Sequence, residues 1–257
     1  MNSPKGVKPM RNAKGFTLVE LMIATGVTIV LLGAVYTAIN ATQRHSSGIE
    51  RKVLVMQDVK PALELMSIEL SMASFNPNLT SGNWLVANSG NPADNCINVS
   101  ANQEYRGIQE AAANAITVEM DVNENCTVDN NPACMWHGMG FSNENEVIRY
   151  IYDPANEYIT RSVNCGGNMP FLGDTAASGR PRNLRVINNA LGLPVFRYFD
   201  GTGAEIPSAN LPARIPDIRR IQIILVVETE HIDPNTKQRR RLNYSTSVFV
   251  RNHAYND

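Results

Sequence analysis

Hydrophobic and polar positions divide the chain into three stretches with different patterns. The first, residues 16–39, is almost continuously apolar, spans 24 residues and contains one charge, Glu20. As a helix rising about 1.5 Å per residue it would be roughly 36 Å long, which is enough to cross a bilayer. A soluble core helix is rarely apolar on every face over this length. The pattern therefore predicts a membrane-spanning helix.

The second stretch, residues 40–75, keeps the helical pattern but becomes amphipathic. Large apolar residues recur at steps of three or four, and charged residues such as Glu69 lie between them. The apolar positions are Ile49, Val53, Met56, Val59, Leu63, Met66 and Leu70. We expect this face to pack on a sheet and the charged face to meet solvent or neighbouring subunits. Pro61 should bend the helix, and Asn76-Pro77-Asn78 should end it.

The third stretch, residues 76–257, contains strands separated by turn signals. Its first part, residues 76–114, predicts irregular loops and short strands. The predicted strands are Ala115–Asp121, Glu146–Tyr152, Glu157–Val163, Pro194–Phe199, Ile218–Glu230 and Leu242–Arg251. Turns at residues 153–156 and 233–235 predict two hairpins. One long helix followed by such strands predicts an α+β fold, with the helix packed on a mainly antiparallel β-sheet.

Composition and charge change this picture mainly at the N-terminus. The chain has 257 residues and a net charge of −1, and it is 43% hydrophobic and 18% charged. These values exclude a disordered chain and a broadly basic nucleic-acid binder. Residues 1–15 hold four basic residues and no acid, so the remaining 242 residues carry 19 basic and 24 acidic residues, a net charge of −5. A basic leader before an apolar helix stays in the cytoplasm, so the rest of the chain should face outward.

Three classes of N-terminal segment could explain this pattern, and the two most common ones explain it only in part. A secretory signal peptide has a shorter apolar region, about 7–15 residues, with a small-residue cleavage site after it, whereas here Gly15 precedes the apolar run. A plain membrane anchor explains the length but leaves Glu20 unexplained. An unpaired charge at that depth costs about 2–3 kcal/mol or more, so Glu20 is a candidate functional residue.

The string Lys14-Gly15-Phe16-Thr17-Leu18-Val19-Glu20 resembles the processing site of type IV prepilins and type II secretion pseudopilins. The resemblance implies a pilin-like fold, cleavage between Gly15 and Phe16 by a membrane prepilin peptidase, and N-methylation of Phe16. It also implies a filament core in which Glu20 pairs with the protonated amine at Phe16 of a neighbouring subunit and aids register.

The head is similar to that of PilW-family minor pilins. The resemblance rests on the hairpin from Val147, the strand and turn from Val195, the long apolar strand, and the ending 245–252. It implies a minor pilus subunit that helps to initiate assembly, with effects on adhesion, twitching motility or DNA uptake. A GspJ-like pseudopilin and a non-polymerised, membrane-anchored binding module are the alternatives.

This resemblance also implies an organisation and a set of partners. Residues 1–15 are the leader, 16–39 the transmembrane and filament-core helix, 40–75 the amphipathic continuation, and 76–257 the extracytoplasmic head. The protein would cross the bacterial inner membrane once, with its head in the periplasm, and then enter the pilus. Its partners would be prepilin peptidase, other minor and major pilins, the assembly platform, inner-membrane lipid and a tip adhesin.

The four cysteines lie in the predicted outside portion. An even number of cysteines in an oxidising compartment favours two disulfides, for which three pairings exist. We favour the pairing of Cys126 with Cys134, which enclose seven residues, and of Cys96 with Cys165. There is no Cys-x-x-Cys pair of the kind that zinc sites use.

Other candidate sites have simpler interpretations. Residues 121–125 begin like a calcium loop, but the sixth and twelfth positions are Cys126 and Pro132 instead of glycine and glutamate. Residues 200–203 are interpreted as a turn. The four histidines, His45, His137, His231 and His253, accompany no nucleophile motif. We therefore expect no enzymatic activity, metal or cofactor.

Two basic clusters remain in the last third of the chain. The first contains Lys237, Arg239, Arg240 and Arg241 at a hairpin, and the second contains Asp217, Arg219 and Arg220. Each is interpreted as a solvated surface or, functionally, as a contact to nucleic acid or to a protein partner.

Overall fold

The computed structural model describes residues 15–75, 107–120, 122, 147–163, 167–173, 182–233 and 236–253. Residue contacts divide the chain into two compact units, residues 1–47 and residues 48–257. The long helix α1, Leu18–Ser71, contributes residues 18–47 to the first unit and residues 48–71 to the second.

The described part of the first unit is mainly helical, and its apolar segment is exposed. Phe16 is 90% exposed, and the apolar side chains that follow it are exposed on every face of α1. The most apolar 18-residue window of α1 has a mean hydropathy of 2.3, and none of it is buried. By length and composition, α1 is able to span a membrane. A bilayer would remove these side chains from water, which is where their stabilisation would come from.

The described part of the second unit contains two antiparallel sheets. The first sheet has five strands in the order β1-β2-β3-β4-β5. They are β1 Ile108–Ala111, β2 Ala115–Glu119, β3 Val147–Asp153, β4 Tyr158–Val163 and β5 Met169–Leu172. The turn between β3 and β4 is closed by Asp153, whose Oδ1 accepts hydrogen bonds from the N–H groups of Ala155 at 2.9 Å and Asn156 at 3.1 Å. Such a turn residue fixes the register of the hairpin.

The second sheet is built around its longest strand. Its strands are β6 Leu184–Val186, β7 Phe196–Phe199, β8 Arg220–Thr229 and β9 Arg241–Phe249. Because β9 pairs with β8 from Arg220 to Glu228, the short strands β6 and β7 share the other edge of β8. The buried Asn188 fills the gap between them. Its side chain accepts a hydrogen bond from the N–H of Val226 and donates one to the carbonyl of Ile224, both at 2.9 Å.

Short helical segments complete the described part of the second unit. They are α2 Leu211–Arg214 and 3-10 turns at Asn188–Leu191, Ser208–Asn210 and Ile215–Asp217. The predicted α+β class is confirmed, since one long N-terminal helix accompanies antiparallel sheets. The strands form two sheets, where the sequence pattern indicated only a mainly antiparallel arrangement.

Alternation predicted the strands with clear periodicity correctly. In β8, Ile223, Leu225 and Val227 are fully buried on one face, as predicted. In β9, Tyr244, Thr246 and Val248 are half-buried or buried, while the residues between them are exposed. Strands β2, β3, β4 and β7 lie where they were predicted. Strands β5 and β6 were not predicted, because three or four residues give too little alternation to be recognised.

One face of α1 is buried in the core of the second unit at steps of three and four residues. Its apolar members are Val55, Val59, Ala62, Met66 and Leu70. The predicted apolar face was right at Val59, Met66 and Leu70 but wrong at Ile49 and Val53, which are exposed. The pattern of large side chains did not include Val55 and Ala62, which set the direction of the buried face. Helix α1 continues through Pro61 and ends at Ser71, before a turn at residues 72–74.

Glu69 contradicts the prediction that the charged positions of this helix meet solvent. It is only 7% exposed, and Arg161 of β4 donates two hydrogen bonds to its carboxylate, at 3.1 Å to Oε2 and 2.5 Å to Oε1. The hydroxyl of Tyr150 in β3 also donates to Oε2. Burial and the Glu69 charge raise the pKa of Tyr150, which keeps the phenol neutral and able to donate. This buried cluster ties α1 to the first sheet.

Candidate functional site

The bond between Gly15 and Phe16 lies just outside the helix. Gly15 to Thr17 have no regular secondary structure, and α1 begins at Leu18. Gly15 is exposed, and a Cβ atom added there would meet nothing within 4 Å. A peptide bond in an open, non-helical segment is accessible to a protease, since its backbone groups are not engaged in helical hydrogen bonds.

Thr17 and Glu20 form a capping box at the start of α1. The Glu20 carboxylate oxygen Oε2 accepts hydrogen bonds from the Thr17 N–H at 2.9 Å and from the Thr17 hydroxyl at 3.0 Å. In return, the Glu20 N–H donates to Thr17 Oγ1 at 3.3 Å. This reciprocal pair satisfies two backbone donors that the first turn of a helix otherwise leaves free. It also places a negative charge at the positive end of the helix dipole.

The role of Thr17 was not predicted, although the sequence carries its signal. A threonine followed three residues later by a glutamate, directly before an apolar run, is the recognised pattern of a capping box. Both hydrogen bonds from Thr17 go to Oε2, and Glu20 Oε1 makes no hydrogen bond with any part of the chain that the structure describes. One carboxylate oxygen of Glu20 is therefore free to accept a bond from another molecule.

The three residues of the predicted processing motif thus lie at the start of α1: Gly15 and Phe16 precede the helix, and Glu20 is in its first turn. This geometry makes the N-terminal segment a possible substrate for a processing enzyme. Within the described ranges, no group of three or more His, Cys, Asp or Glu side chains is close enough to hold a metal ion. The four cysteines Cys96, Cys126, Cys134 and Cys165, and the acidic residues of the loop 121–125, lie outside the described residues.

The predicted turn at residues 200–203 is confirmed as a turn. Asp200 Oδ1 accepts hydrogen bonds from the N–H groups of Thr202 and Ala204 and from the Thr202 hydroxyl. These bonds, together with Arg214, lower the pKa of Asp200 to about 2. The carboxylate is thus used to close the loop, and Arg214 also pairs with Asp217 at 2.8 Å.

The basic run at the β8–β9 connection is partly paired. Arg241 forms an ion pair with Glu228 at 2.8 Å, and Arg239 donates to the carbonyl of Glu230 at 3.1 Å. Lys237 and Arg240 are exposed and have no acidic partner in the described part of the chain. In the predicted cluster at residues 217–220, Asp217 pairs with Arg214, and the guanidinium carbon of Arg220 lies 3.7 Å from the centre of the Phe199 ring.

A buried serine–histidine contact has a structural role. Ser74 Oγ lies 2.9 Å from His253 Nδ1, and His253 Nε2 lies 2.9 Å from the carbonyl of Ile215. Both Ser74 and His253 are less than 5% exposed, so the pair does not line an open site. Gly107 packs on it so closely, at φ +72°, that a Cβ atom would lie 2.1 Å from Ser74 Oγ. This contact joins the end of α1 to the end of the described chain.

The comparisons with known proteins agree with the N-terminal geometry. A family model described as the prokaryotic N-terminal methylation motif matches residues 10–36, that is 27 of the 257 residues. No curated protein and no solved structure gives a significant match.

The matched motif supports a type IV pilin-like protein or pseudopilin-type prepilin. It implies processing by prepilin peptidase and association with other pilins. Together with the apolar helix, it indicates a membrane-anchored structural subunit that later enters a filament.

Proposed function

We propose that this chain is a minor pilin of a bacterial type IV pilus, with a role in assembly like that of the PilW family. The observation that carries the proposal is the position of the methylation motif. It lies at the open, capped start of a helix able to cross a membrane, and a β-rich head follows it. The size of the head favours a minor subunit, because a bulky head would space the subunits of a filament poorly.

In this proposal the leader, residues 1–15, is a targeting signal that is later removed. Prepilin peptidase cuts between Gly15 and Phe16, and the new terminus at Phe16 is methylated. Residues 16–39 then pass from the inner membrane into the filament core, while residues 40–257 form the amphipathic continuation and the periplasmic head. The favoured pairs, Cys126 with Cys134 and Cys96 with Cys165, would staple the head in that oxidising compartment.

Glu20 has the chemistry to aid register between subunits. Because Thr17 lies after the scissile bond, cleavage would leave the capping box in place and leave Oε1 free. In a filament core without water, a buried carboxylate needs a positive partner. The amine at Phe16 of a neighbouring subunit is a cation that every copy carries at the same place. Their pairing would favour one axial offset between subunits.

Substitution of Glu20 tests this proposal. We expect Glu20→Ala to be cleaved normally but recovered much less in sheared pilus fractions, because the register contact is lost. Thr17→Val is the matched control, since it removes the side-chain cap made by the Thr17 hydroxyl, worth about 1 kcal/mol, and leaves the carboxylate in place. We expect the amount of Thr17→Val in pilus fractions to stay close to that of the wild type. Immunoblots of membrane and pilus fractions measure both, and normal incorporation of Glu20→Ala would contradict the proposed role.

The same N-terminal motif also fits a GspJ-like pseudopilin of a type II secretion system. The wild-type chain distinguishes the two functions by its location. A minor pilin is recovered with sheared pili, whereas a pseudopilin is required for secretion and is absent from that fraction. A non-polymerised membrane-anchored binding module would keep residues 1–15 and remain in the membrane.

A further inference from the structure

The outer edge of β9 is long, regular and open. Strand β9, Arg241–Phe249, pairs with β8 over nine consecutive residues without a register shift. Along its other side, no strand of the described chain pairs with it. The other sheet edges are less suited to pairing. Strand β1 has an irregular register, β5 contains Pro170, and β6 has three residues. Strand β7 has four residues, and its Phe199 already forms a bridge with Glu205.

The backbone groups on this edge can be assigned from the bonds at both ends of the strand. The carbonyl of Arg240 accepts from Thr229, and the N–H of Val250 donates to Arg219, both at 3.0 Å. In an antiparallel pair, every second residue faces the neighbouring strand. The even-numbered residues of β9 therefore bond to β8, and five others direct their N–H and C=O groups outward. These five are Arg241, Asn243, Ser245, Ser247 and Phe249, whose side chains are all exposed.

This edge lacks the features with which proteins usually prevent strand addition. Natural edge strands are commonly short, bulged, or interrupted by lysine or proline. Strand β9 has none of these, and its one charge, Arg241, lies at its first residue. On its inner side, Leu242 and Tyr244 are only half-buried against the core. A further strand would cover them and satisfy the open backbone groups.

The two ends of the edge indicate the chemistry of the occupant. At the start, Lys237 and Arg240 are exposed cations without an acidic partner in the described ranges. At the far end, Phe249 is 62% exposed and is paired in register with Arg220, which itself stacks on Phe199. Aromatic and arginine side chains are enriched at protein interfaces, and here Phe249 is the exposed one. The edge thus suits a strand that is acidic at one end and apolar at the other.

We propose that β9 is the docking strand for an extended segment of a different polypeptide chain, which adds to the second sheet by main-chain hydrogen bonds. The segment carries acidic side chains beside Lys237 and Arg240 and an apolar side chain against Phe249. The proposal deepens the proposed function, on which it rests, because it names the surface through which the head binds another subunit of the filament.

Ser245→Pro tests the edge with Ser245→Ala as its matched control. Proline removes the outward N–H at the centre of β9 and places its ring where the added strand would lie, yet it breaks no bond to β8. The alanine variant loses the same hydroxyl, which accepts a bond from Gln222 at 3.2 Å, but keeps the N–H. We expect recovery of Ser245→Pro in sheared pili to be at least about tenfold below that of Ser245→Ala.

Thermal unfolding of the purified full-length variants checks that both are folded. If Ser245→Pro does not fold, Ser245→Lys replaces it as the edge variant. It keeps the N–H but adds a charge that disfavours strand addition, so the same loss of recovery in pili is expected. Equal recovery of the folded edge variant and Ser245→Ala overturns the inference and leaves the proposed function intact. Absence of the wild-type chain from pili contradicts the proposed function, and this inference with it. Light scattering tests whether the partner is a second copy of this chain. If the wild-type protein is a homodimer and Ser245→Pro is a monomer, the proposal that a different chain binds this edge is wrong.

Discussion

Glu69→Ala is expected to lower the free energy of unfolding of the head by about 3–5 kcal/mol. The substitution would leave the guanidinium of Arg161 and the hydroxyl of Tyr150 in a buried site without the carboxylate that both now contact. The side chains of Glu69 and Arg161 are 9% and 18% exposed, so water would replace the lost bonds poorly. Because domains are typically stable by only about 5–15 kcal/mol, this is a large share of the total.

Glu205→Ala is the matched control for this prediction. Glu205 also forms a two-bond ion pair with an arginine, Arg197, but their side chains are 42% and 37% exposed. An exposed pair contributes at most about 1 kcal/mol. Urea unfolding of the purified full-length variants, followed by circular dichroism, measures both changes. If the two variants lose similar amounts of unfolding free energy, burial is not the reason that the Glu69 cluster stabilises the head.

Gly15→Leu is expected to block processing almost completely. A leucine at this position puts a branched side chain directly before the scissile bond, where the peptidase must approach the backbone. The substitution should not disturb the fold of the chain, because a Cβ atom at Gly15 meets nothing within 4 Å. We therefore expect a stable precursor that keeps residues 1–15, stays in the membrane and does not enter pili.

Gly26→Ala provides the control within the same helix. A Cβ atom at Gly26 also meets nothing within 4 Å, but this residue lies eleven positions after Gly15 in the apolar segment. Immunoblotting should show normal cleavage of Gly26→Ala and a larger, unprocessed Gly15→Leu. Normal cleavage of Gly15→Leu would rule out a processing role for this glycine.

The elements predicted correctly are those in which one local signal is repeated. The first half of α1 is almost continuously apolar, and buried and more exposed side chains alternate along much of β8 and β9. The β3–β4 turn carries Asp153, whose side chain closes it by local hydrogen bonds. Such features depend on neighbours in sequence, so the sequence alone is enough to predict them.

The features that were missed depend on contacts between distant residues. Glu69 looks like a surface charge until Arg161 and Tyr150 are brought to it from two strands of the first sheet. The buried face of α1 depends on where the sheets cover the helix, which the spacing of Ile49 and Val53 does not reveal. Sequence spacing likewise gives no distance between the cysteines.

At the candidate site, the spacing of Gly15, Phe16 and Glu20 was sufficient to predict the motif that the family model matches. The structure adds Thr17 and the capping box, in which Thr17 bonds to Oε2 of Glu20 and no other group of the described residues bonds to Oε1. The capping box is itself a local signal, a threonine followed three residues later by a glutamate, so the sequence contains the information needed to predict it.

Intact mass and N-terminal peptide analysis of the protein recovered from cells tests the central claim most directly. We predict a mature chain of residues 16–257 that begins with a methylated Phe16. A chain that retains residues 1–15, or that begins at any other position in the apolar segment, would contradict the claim that this is a processed pilin-like subunit.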